Sequence, residues 1–399
     1  MIYPERTESM NNSCHLFIFT CNPQYIKLTL YEFGRYDPSF QLVKWLEDGI
    51  GLGETGLNIT DLYECIIKSP IIFVRHIFGV QKTFSIKTDA EDLSSLCIEE
   101  VLSMDALPDD RTFCVQLRNS RKMYTEEAGQ DSMSAVIAAA LEQKGNKLDI
   151  YNGEMIVSIY AAEAEAYMGI NEAVYNLSHF KGGMPHYAST KDYDFVSRAE
   201  FKLLEAITSF NINLSDMTNA ADLGAAPGGW TKVLVDAGLN CVSIDPGYLD
   251  KKIIKNPRVS YYHMMVEEYL KQEHNEVFDL VVNDMKMDVG KSAAIINKFY
   301  PKIRDRGYVI ITFKLKNGFS YKTDILDPIK KLNGFELIGA RQLFHNRSEI
   351  TVVLRKTTSS GCHDIKNINS TRKSNKPKQK KSNERGNLSK KLERKYKNK

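Results

Sequence analysis

Two groups of residues in this chain have types and spacings that could support chemistry. The first is the glycine-rich stretch Asp222-Leu-Gly-Ala-Ala-Pro-Gly-Gly-Trp230, which follows a short apolar lead-in and precedes a helical pattern from Thr231 to Ala237. A glycine-rich turn between a strand and a helix is typical of nucleotide-type cofactor sites. Its glycines allow the backbone to turn tightly and to approach a ligand that side chains would block. The sequence therefore predicts a cofactor loop at this turn.

The second group is Lys202, Asp284, Lys314 and Glu349, which lie far apart in sequence but fall at the ends of separate predicted elements of one sheet. Each of them taken alone is better explained as half of a surface salt bridge. Taken together, two lysines and two acids could set the pKa of one lysine, because burial and a second cation lower it and carboxylates raise it. A lysine needs such a lowered pKa to act as a base, since its usual pKa is about 10.4.

Four segments, in the expected order, resemble the motifs of FtsJ/RrmJ-type ribose 2′-O-methyltransferases, and most closely those of the RlmM-type branch. The resemblance covers residues from about 190 to 356. The four segments are Ser197-Arg-Ala-Glu-Phe-Lys-Leu203, Asn283-Asp-Met285, Ile311-Thr-Phe-Lys-Leu315 and Ala340-Arg-Gln-Leu-Phe-His-Asn-Arg-Ser-Glu-Ile-Thr351. They contain the two lysines, the aspartate and the glutamate of the second group, which look like the family's Lys-Asp-Lys-Glu tetrad.

The resemblance implies an enzyme that transfers a methyl group from S-adenosyl-L-methionine to a ribose 2′-hydroxyl of RNA, with a cytidine in large-subunit ribosomal RNA as the target. It implies that Lys314 is the base, that Lys202 and Asp284 orient the base and the hydroxyl, and that Glu349 completes the hydrogen-bonding network. It implies no metal. The residues that it assigns to cofactor binding are Gly224, Ala226, Pro227, Gly228, Gly229, Trp230, Asp245 and Asp284.

Three places in the sequence leave alternatives open. Trp230 could pack beside the cofactor or be a core aromatic residue. Where many relatives place an acid near the adenine, this chain has His263-Met264-Met265, so that a backbone contact or Glu267 could substitute. His345 could stack on a base, contact a phosphate, or hold its own loop together, and we do not assign it to the catalytic set.

The elements that must position these residues alternate between helical and extended patterns from Ser197 onward. Such alternation predicts an α/β, Rossmann-like domain over residues 190–356, with a parallel, doubly wound sheet. Ligands bind outside the carboxyl ends of such strands, where Asp222, Asp245, Asp284 and Lys314 are expected. Two successive strands at the end of the domain indicate a reversed edge strand.

Residues 1–185 predict an α+β region, with a strand over Leu16–Phe19 and a helix over Phe40–Leu46. The order strand, helix, strand, strand over about 70 to 175 resembles a THUMP-type RNA-binding domain. Residues 1–150 carry a net charge of −8, which argues against strong RNA binding, although Arg111, Arg118, Arg121 and Lys122 form a basic cluster. A generic accessory domain is the alternative. The stretch 182–194, rich in glycine and polar residues, predicts a linker.

The net charge of +3 hides a strong asymmetry along the chain. Residues 366–399 carry 14 Lys and Arg against two acids, a net charge of +12, which leaves −9 for the rest. A segment this polar cannot bury a core, so residues 360–399 predict a disordered basic tail. Such a tail attracts RNA phosphates in a salt-sensitive way, or it is a solvated segment that the protein can do without.

The cysteine content and the apolar runs of the sequence predict the cell compartment and exclude some classes of protein. The seven cysteines are odd in number, widely spread and without a CxxC pair, which predicts free thiols in the cytoplasm and no structural zinc site. No apolar run approaches 18 residues, so we expect no membrane span. A monomer is expected. Two alternatives to the RNA methyltransferase stay open: an enzyme acting on a non-RNA substrate, and a non-catalytic RNA-binding ribosome-assembly factor that retains the fold.

Overall fold

The computed structural model describes residues 14–86, 90–104, 106–120, 127–185 and 195–358. The chain divides into two units, Met1–Met184 and Pro185–Lys399. The predicted basic tail, most of the predicted linker, Arg121 and Lys122 lie outside the described residues. No helix within the described ranges is both long enough and apolar enough to span a membrane.

The N-terminal unit contains two β-sheets, and helices connect some of their strands. Its elements are β1 (His15–Cys21), α1 (Ile26–Tyr36), β2 (Gln41–Glu47), β3 (Ile50–Thr55), α2 (Ile59–Lys68), β4 (Val74–Val80), β5 (Lys82–Ser85), α3 (Ala90–Met104), β6 (Thr112–Asn119), α4 (Glu127–Gln143), β7 (Lys147–Leu148), β8 (Met155–Ala161) and β9 (Glu165–Glu172). One sheet is antiparallel with the order β2-β3-β1-β4, and the other has the order β5-β9-β8-β6-β7. In the second sheet β6 and β8 are parallel, and the other long pairs are antiparallel.

The helix predicted over Phe40–Leu46 is wrong, because this segment forms β2. Two irregularities in the pairing of β2 with β3 interrupt the strict alternation of side chains. Leu42, Trp45 and Leu46 therefore fall at spacings of three and four residues, which imitate a helix. The turn Asp48-Gly49, with Gly49 at φ +77°, closes the hairpin, and Asp-Gly is a strong hairpin signal.

The C-terminal unit alternates helices and strands as the sequence predicted. Its elements are α5 (Glu200–Ser209), β10 (Asn219–Leu223), α6 (Gly229–Asp236), β11 (Asn240–Ile244), α7 (Lys251–Ile254), β12 (Val259–Tyr262), α8 (Val266–Tyr269), β13 (Phe278–Asn283), α9 (Val289–Phe299), β14 (Ile303–Lys314), α10 (Asp327–Lys330), β15 (Phe335–Arg341) and β16 (Glu349–Lys356). A π-helical segment, Tyr321–Leu326, directly precedes α10.

The seven strands form one sheet with the order β12-β11-β10-β13-β14-β16-β15. The strands from β12 to β14 run parallel, as the sequence predicted. The reversed strand is β16, which is antiparallel to both of its neighbours and lies between β14 and β15. The expectation of a reversed edge strand is therefore wrong in position: the edge strand is β15, and the reversed strand is inserted beside it.

A large hydrophobic cluster of the C-terminal unit lies between this sheet and the helices α5 and α6. Leu203, Val233, Leu234 and Leu280 are buried in it. Burying such side chains stabilises the unit by about 1.5–3 kcal/mol each. The packing also fixes α5 against the sheet, which determines where Lys202 lies relative to the strand ends.

Candidate active site

The reversal of β16 brings three of the four predicted catalytic residues to one edge of the sheet. Asp284 follows the carboxyl end of β13, and Lys314 ends β14. Since β16 runs in the opposite direction, its first residue, Glu349, pairs with Lys314 across the ladder. Helix α5 supplies Lys202 from above this edge. The insertion of an antiparallel strand beside β14 thus places the glutamate next to the lysine.

The four side chains form a closed set of alternating charges. Lys314 Nζ donates to Asp284 Oδ1 and, over 2.5 Å, to Glu349 Oε2. Lys202 Nζ contacts Glu349 Oε1 and lies 3.5 Å from Asp284 Oδ2. Each lysine therefore touches both carboxylates. The exposed fractions of the side chains are 23% for Lys314, 18% for Lys202, 16% for Asp284 and 7% for Glu349, so the set is only partly open to solvent.

Electrostatics in this set keep Lys314 protonated at neutral pH. Burial pulls the pKa of Lys314 down, but the charges of Asp284 and Glu349 and their hydrogen bonds outweigh burial, so its pKa lies above the usual value. This direction is opposite to the tuning that a base at neutral pH needs. The cation Lys202 is present as predicted, yet the two carboxylates determine the sign of the shift.

The predicted cofactor loop is a glycine-rich turn, here called the glycine cradle, whose glycine backbone packs closely against neighbouring side chains. Gly224 has φ +81°, and a Cβ there would lie 2.5 Å from Met285 Cγ. Gly228 has φ +114°, and a Cβ at Gly229 would lie 2.2 Å from Ser197 Oγ. Any larger residue would be strained or would collide. Ala226 and Pro227 complete this turn between β10 and α6.

Asp245 shapes the same loop through its carboxylate. Asp245 Oδ2 accepts from Ala226 N over 3.0 Å, and Oδ1 accepts from Gly247 N over 2.6 Å. The residue therefore joins the turn after β10 to the turn after β11. Each carboxylate oxygen of Asp245 can accept a further hydrogen bond, so these bonds leave room for the predicted contact with the adenosine. That contact stays a prediction.

A buried polar network lies beneath the loop, and Asp222 is its centre. Thr231 Oγ1 donates to Asp222 Oδ2 over 2.7 Å and lies 2.9 Å from Ser243 Oγ. Burial raises the pKa of Asp222 to about 7, an increase that the Thr231 hydrogen bond opposes and the Asp284 and Asp245 charges favour. Asp222 is fully buried, in agreement with the expectation that it shapes the loop.

The position of Trp230 favours the core alternative. Its side chain is only 4% exposed and packs in the cluster between α5, α6 and the sheet. Its Nε1 donates to Ala199 O over 2.7 Å. Trp230 therefore anchors the segment before α5 rather than presenting its ring to a ligand, and its assignment to the cofactor set came from its place next to the glycines.

Sequence reasoning missed two polar residues that support the tetrad. Thr312 Oγ1 donates to Asp284 Oδ1 over 2.6 Å, and Glu205 accepts from the backbone N–H groups of Phe344 and His345 and contacts His345 Nδ1. Thr312 shares the strand face of Lys314, two residues away, and Glu205 lies one helical turn after Lys202. Those spacings could have indicated both. The contact with Glu205 fixes the loop that leads to Glu349.

The C-terminal sheet is Rossmann-like, with a glycine turn after its first strand and one reversed strand inserted next to its edge. Residues 195–315 match the family model of the FtsJ-like methyltransferases. The recognition of an FtsJ-type domain, made from the four motifs, is thereby confirmed.

The chain is also similar over longer stretches to curated proteins. It is 28% identical over 235 residues to Ribosomal RNA large subunit methyltransferase M of Pseudomonas syringae pv. tomato, which covers 56% of this chain and 64% of that protein. It is 27% identical over 306 residues to the protein of the same name from Shewanella denitrificans, covering 71% and 79%. An uncharacterized protein of Methanocaldococcus jannaschii is 28% identical over 167 residues, covering 40% and 47%.

The predicted likeness to RlmM-type enzymes is confirmed by these matches. The chain spans less than two thirds of the length of the first of these relatives. Within the C-terminal unit, residues 195–315 are thus similar to FtsJ-like methyltransferases.

Proposed function

We propose that this protein transfers a methyl group from S-adenosyl-L-methionine to a ribose 2′-hydroxyl of RNA. The observation that carries the proposal is the set of four alternating charges at the carboxyl edge of the sheet, where each of two lysines touches both carboxylates. The names of the relatives favour ribosomal RNA as substrate. The finer assignment, a cytidine of large-subunit RNA, rests on the likeness to the RlmM-type branch.

The loop between β10 and α6 fits an adenosine-type cofactor. Gly224 and Gly228 adopt positive φ angles that allow the tight turn of such a loop, and the loop lies outside the carboxyl ends of parallel strands. Gly224, Gly228 and Gly229 with Ala226 and Pro227 would hold the methionine and ribose parts, and Asp245 and Asp284 would flank them. When bound, S-adenosyl-L-methionine supplies an electrophilic methyl group on its sulfonium.

The protein's own residues then have to position a poor nucleophile and accept its proton. Asp284 and Glu349 hold the Nζ of Lys314, and Lys202 holds the other oxygens of the same two carboxylates. Lys314 accepts the hydroxyl proton in the fraction of molecules in which its Nζ is neutral. The raised pKa of Lys314 keeps this fraction small at neutral pH. The fraction grows as the pH rises, so we expect the rate of methyl transfer to increase with pH through the neutral range.

RNA recognition would involve the rest of the chain. The sheet with β6, α4, β8 and β9 follows the order that resembles a THUMP-type domain, and we propose that it contributes to RNA binding. Within the predicted basic cluster, Arg111 forms an ion pair with Glu172 over 3.3 Å, so its charge is partly offset by this acid. The basic tail would add salt-sensitive phosphate contacts. Deleting residues 366–399 should weaken RNA binding and flatten its salt dependence, and an unchanged salt slope would contradict this role. A cytoplasmic monomer stays our expectation.

The proposal is tested by methyl transfer to total RNA from a strain that lacks this protein. Radiolabelled S-adenosyl-L-methionine, digestion to nucleosides and chromatography locate the label. We expect label in a 2′-O-methylnucleoside of large-subunit RNA, and none with Lys314→Ala. If free RNA stays unlabelled, ribosomal precursor particles are used as the substrate. Failure with both substrates would contradict the proposal and favour the assembly factor, whereas label on a base would contradict the ribose assignment.

A further inference from the structure

The loop between β15 and β16 carries an aromatic side chain that is open to solvent. Phe344 is 37% exposed, whereas Leu343 beside it is 2% exposed and belongs to the core. Of the exposed large hydrophobic residues that the structure describes, Phe344 lies nearest in sequence to a tetrad residue, five positions before Glu349. A single exposed apolar side chain is common on protein surfaces, so its meaning depends on how it is held and on what surrounds it.

The backbone of Phe344 is fixed to helix α5. Phe344 N donates to Glu205 Oε1 over 2.7 Å, and His345 N donates to Glu205 Oε2 over 2.9 Å. Glu205 is buried, and it follows Lys202 by three residues, which is about one turn of the helix. Residues at this spacing share one side of a helix. The backbone of Phe344 is therefore attached beside the lysine whose Nζ contacts Glu349.

The neighbouring histidine is engaged within the protein, and Phe344 lies outside that contact. The His345 ring stacks on the Phe201 ring, with centroids 5.2 Å apart and an angle of 25°. Its Nδ1 lies 2.8 Å from Glu205 Oε2. The Phe344 ring is perpendicular to the His345 ring, at 89° and 5.3 Å. Since Phe344 is exposed and His345 half-buried, His345 holds the loop and Phe344 presents the more open ring.

An arginine adds positive charge to the same loop. Arg347 follows Phe344 by three residues and is exposed. Its backbone is fixed as well, because the buried Gln342 donates through Nε2 to Asn346 O over 2.8 Å and to Arg347 O over 3.1 Å. Among the residues that the structure describes, no acidic side chain lies within ion-pair distance of Arg347. A fixed aromatic ring next to an uncompensated cation is typical of sites for single-stranded nucleic acid, where bases stack on rings and cations follow the phosphates.

We propose that Phe344 is the platform on which the base of the methylated nucleotide stacks, and that Arg347 holds a phosphate of the same strand. This assignment rests on the proposed function, because it takes the substrate to be an RNA ribose. A nucleotide that leaves its own stack loses stacking energy, and an aromatic side chain at the site replaces it. Every base has a face that can stack, so the platform contributes affinity for an unpaired nucleotide and does not select among the four bases.

The test is a double-mutant cycle between Phe344 and the base that it contacts. Two RNA fragments carry the methylated position, one with its natural base and one with an abasic ribose that retains the 2′-hydroxyl; they are assembled into precursor particles if these are the substrate. Single-turnover methyl transfer is measured with the full chain at subsaturating concentration. Phe344→Ala should slow transfer to the natural RNA by about tenfold or more, as the loss of one stacked base implies. On the abasic RNA the same substitution should slow transfer by less than about threefold.

The cycle separates stacking from a structural role, because a misplaced loop would slow transfer to both RNAs equally. An equal loss on both RNAs, or no loss on the natural one, would overturn the platform. Phe344→Tyr keeps the ring and should retain the difference between the two RNAs. Phe344→Leu keeps apolar bulk without the ring and should lose part of this difference, which keeps the test informative if Phe344→Ala does not fold.

The phosphate contact has its own measurement. Arg347→Ala should reduce the slope of log K against log salt for RNA binding by about 0.7, as the loss of one phosphate contact on a single strand implies. An unchanged slope would overturn the role of Arg347. No methyl transfer by the unaltered protein to a ribose of free RNA or of precursor particles would overturn the proposed function and the platform together, whereas normal transfer with equal losses on the two RNAs overturns the platform alone.

Discussion

Replacing Asp222 with asparagine should change how the stability of the C-terminal unit depends on pH. Burial, ahead of the nearby charges, raises the pKa of Asp222 to about 7 in the folded protein, whereas an unfolded aspartate has a pKa of about 3.9. Between these values the folded state keeps a proton that the unfolded state loses. The stability that Asp222 contributes is therefore present at low pH, falls as the pH rises through this window, and is lost above it.

The size of this effect follows from the two pKa values. Between about pH 5.5 and about pH 8.5, linkage gives a loss of about 2 kcal/mol for the unaltered protein. Asparagine cannot titrate, so the variant should gain about 2 kcal/mol relative to the unaltered protein over the same range. Among the residues with a described structure, none forms a hydrogen bond with the buried Oδ1 of Asp222. The amide that replaces it would cost about 1–3 kcal/mol at every pH, so the test is the change of the difference with pH.

Urea unfolding of both proteins at the two pH values measures this change. Trp45 and Trp230 are the two tryptophans, and each lies in a different unit. A Trp45→Phe background leaves Trp230 as a fluorescence probe of the C-terminal unit. The other titrating groups are common to both proteins and cancel in the difference. A difference in unfolding free energy that stays constant from low to high pH would refute the reasoning.

Three further substitutions test the geometry around the site. Gly229→Ala would place a Cβ 2.2 Å from Ser197 Oγ, and should lower the free energy of unfolding by about 1–3 kcal/mol. An unchanged urea midpoint would show that Ser197 can move aside for the added methyl group. Glu205→Ala removes the acceptor of two backbone N–H groups and should cost roughly 3 kcal/mol, with Glu205→Gln intermediate; equal stabilities would argue against its role in the loop. Thr312→Val removes the hydroxyl that donates to Asp284. It should slow single-turnover methyl transfer about tenfold and leave the cofactor affinity unchanged. An unaltered rate would mean that this hydrogen bond does not orient the carboxylate.

The parallel part of the fold could be predicted because each element carries its own signal. β10 and β13 are short apolar runs bounded by turn residues, and the glycine turn is visible in the sequence. The hairpin of β2 and β3 could not be recognised in the same way, because its irregular pairing displaces Leu42, Trp45 and Leu46 into helical spacing. Interruptions of this kind depend on the partner strand, which no local pattern reports.

The candidate site shows the same limit. The four tetrad residues could be proposed from their motifs, yet the sign of the pKa shift of Lys314 depends on how many carboxylates reach it and how deeply it is buried. Trp230 illustrates the reverse case: its place beside the glycines suggested a ligand contact, and only the packing against α5 and α6 places it in the core. Distances between residues far apart in sequence decide both questions.

The central claim is that Lys314 takes part in the activation of the hydroxyl. Single-turnover methyl transfer to RNA by Lys314→Met tests it, with binding of S-adenosylhomocysteine measured on the same preparation. Lys316→Met is the matched control, because Lys316 lies two residues further on and pairs with Asp288 at the surface. We predict that Lys314→Met slows transfer by about a hundredfold or more, that it binds S-adenosylhomocysteine as the unaltered protein does, and that Lys316→Met changes neither. Transfer by Lys314→Met within a few-fold of the unaltered rate would contradict the account.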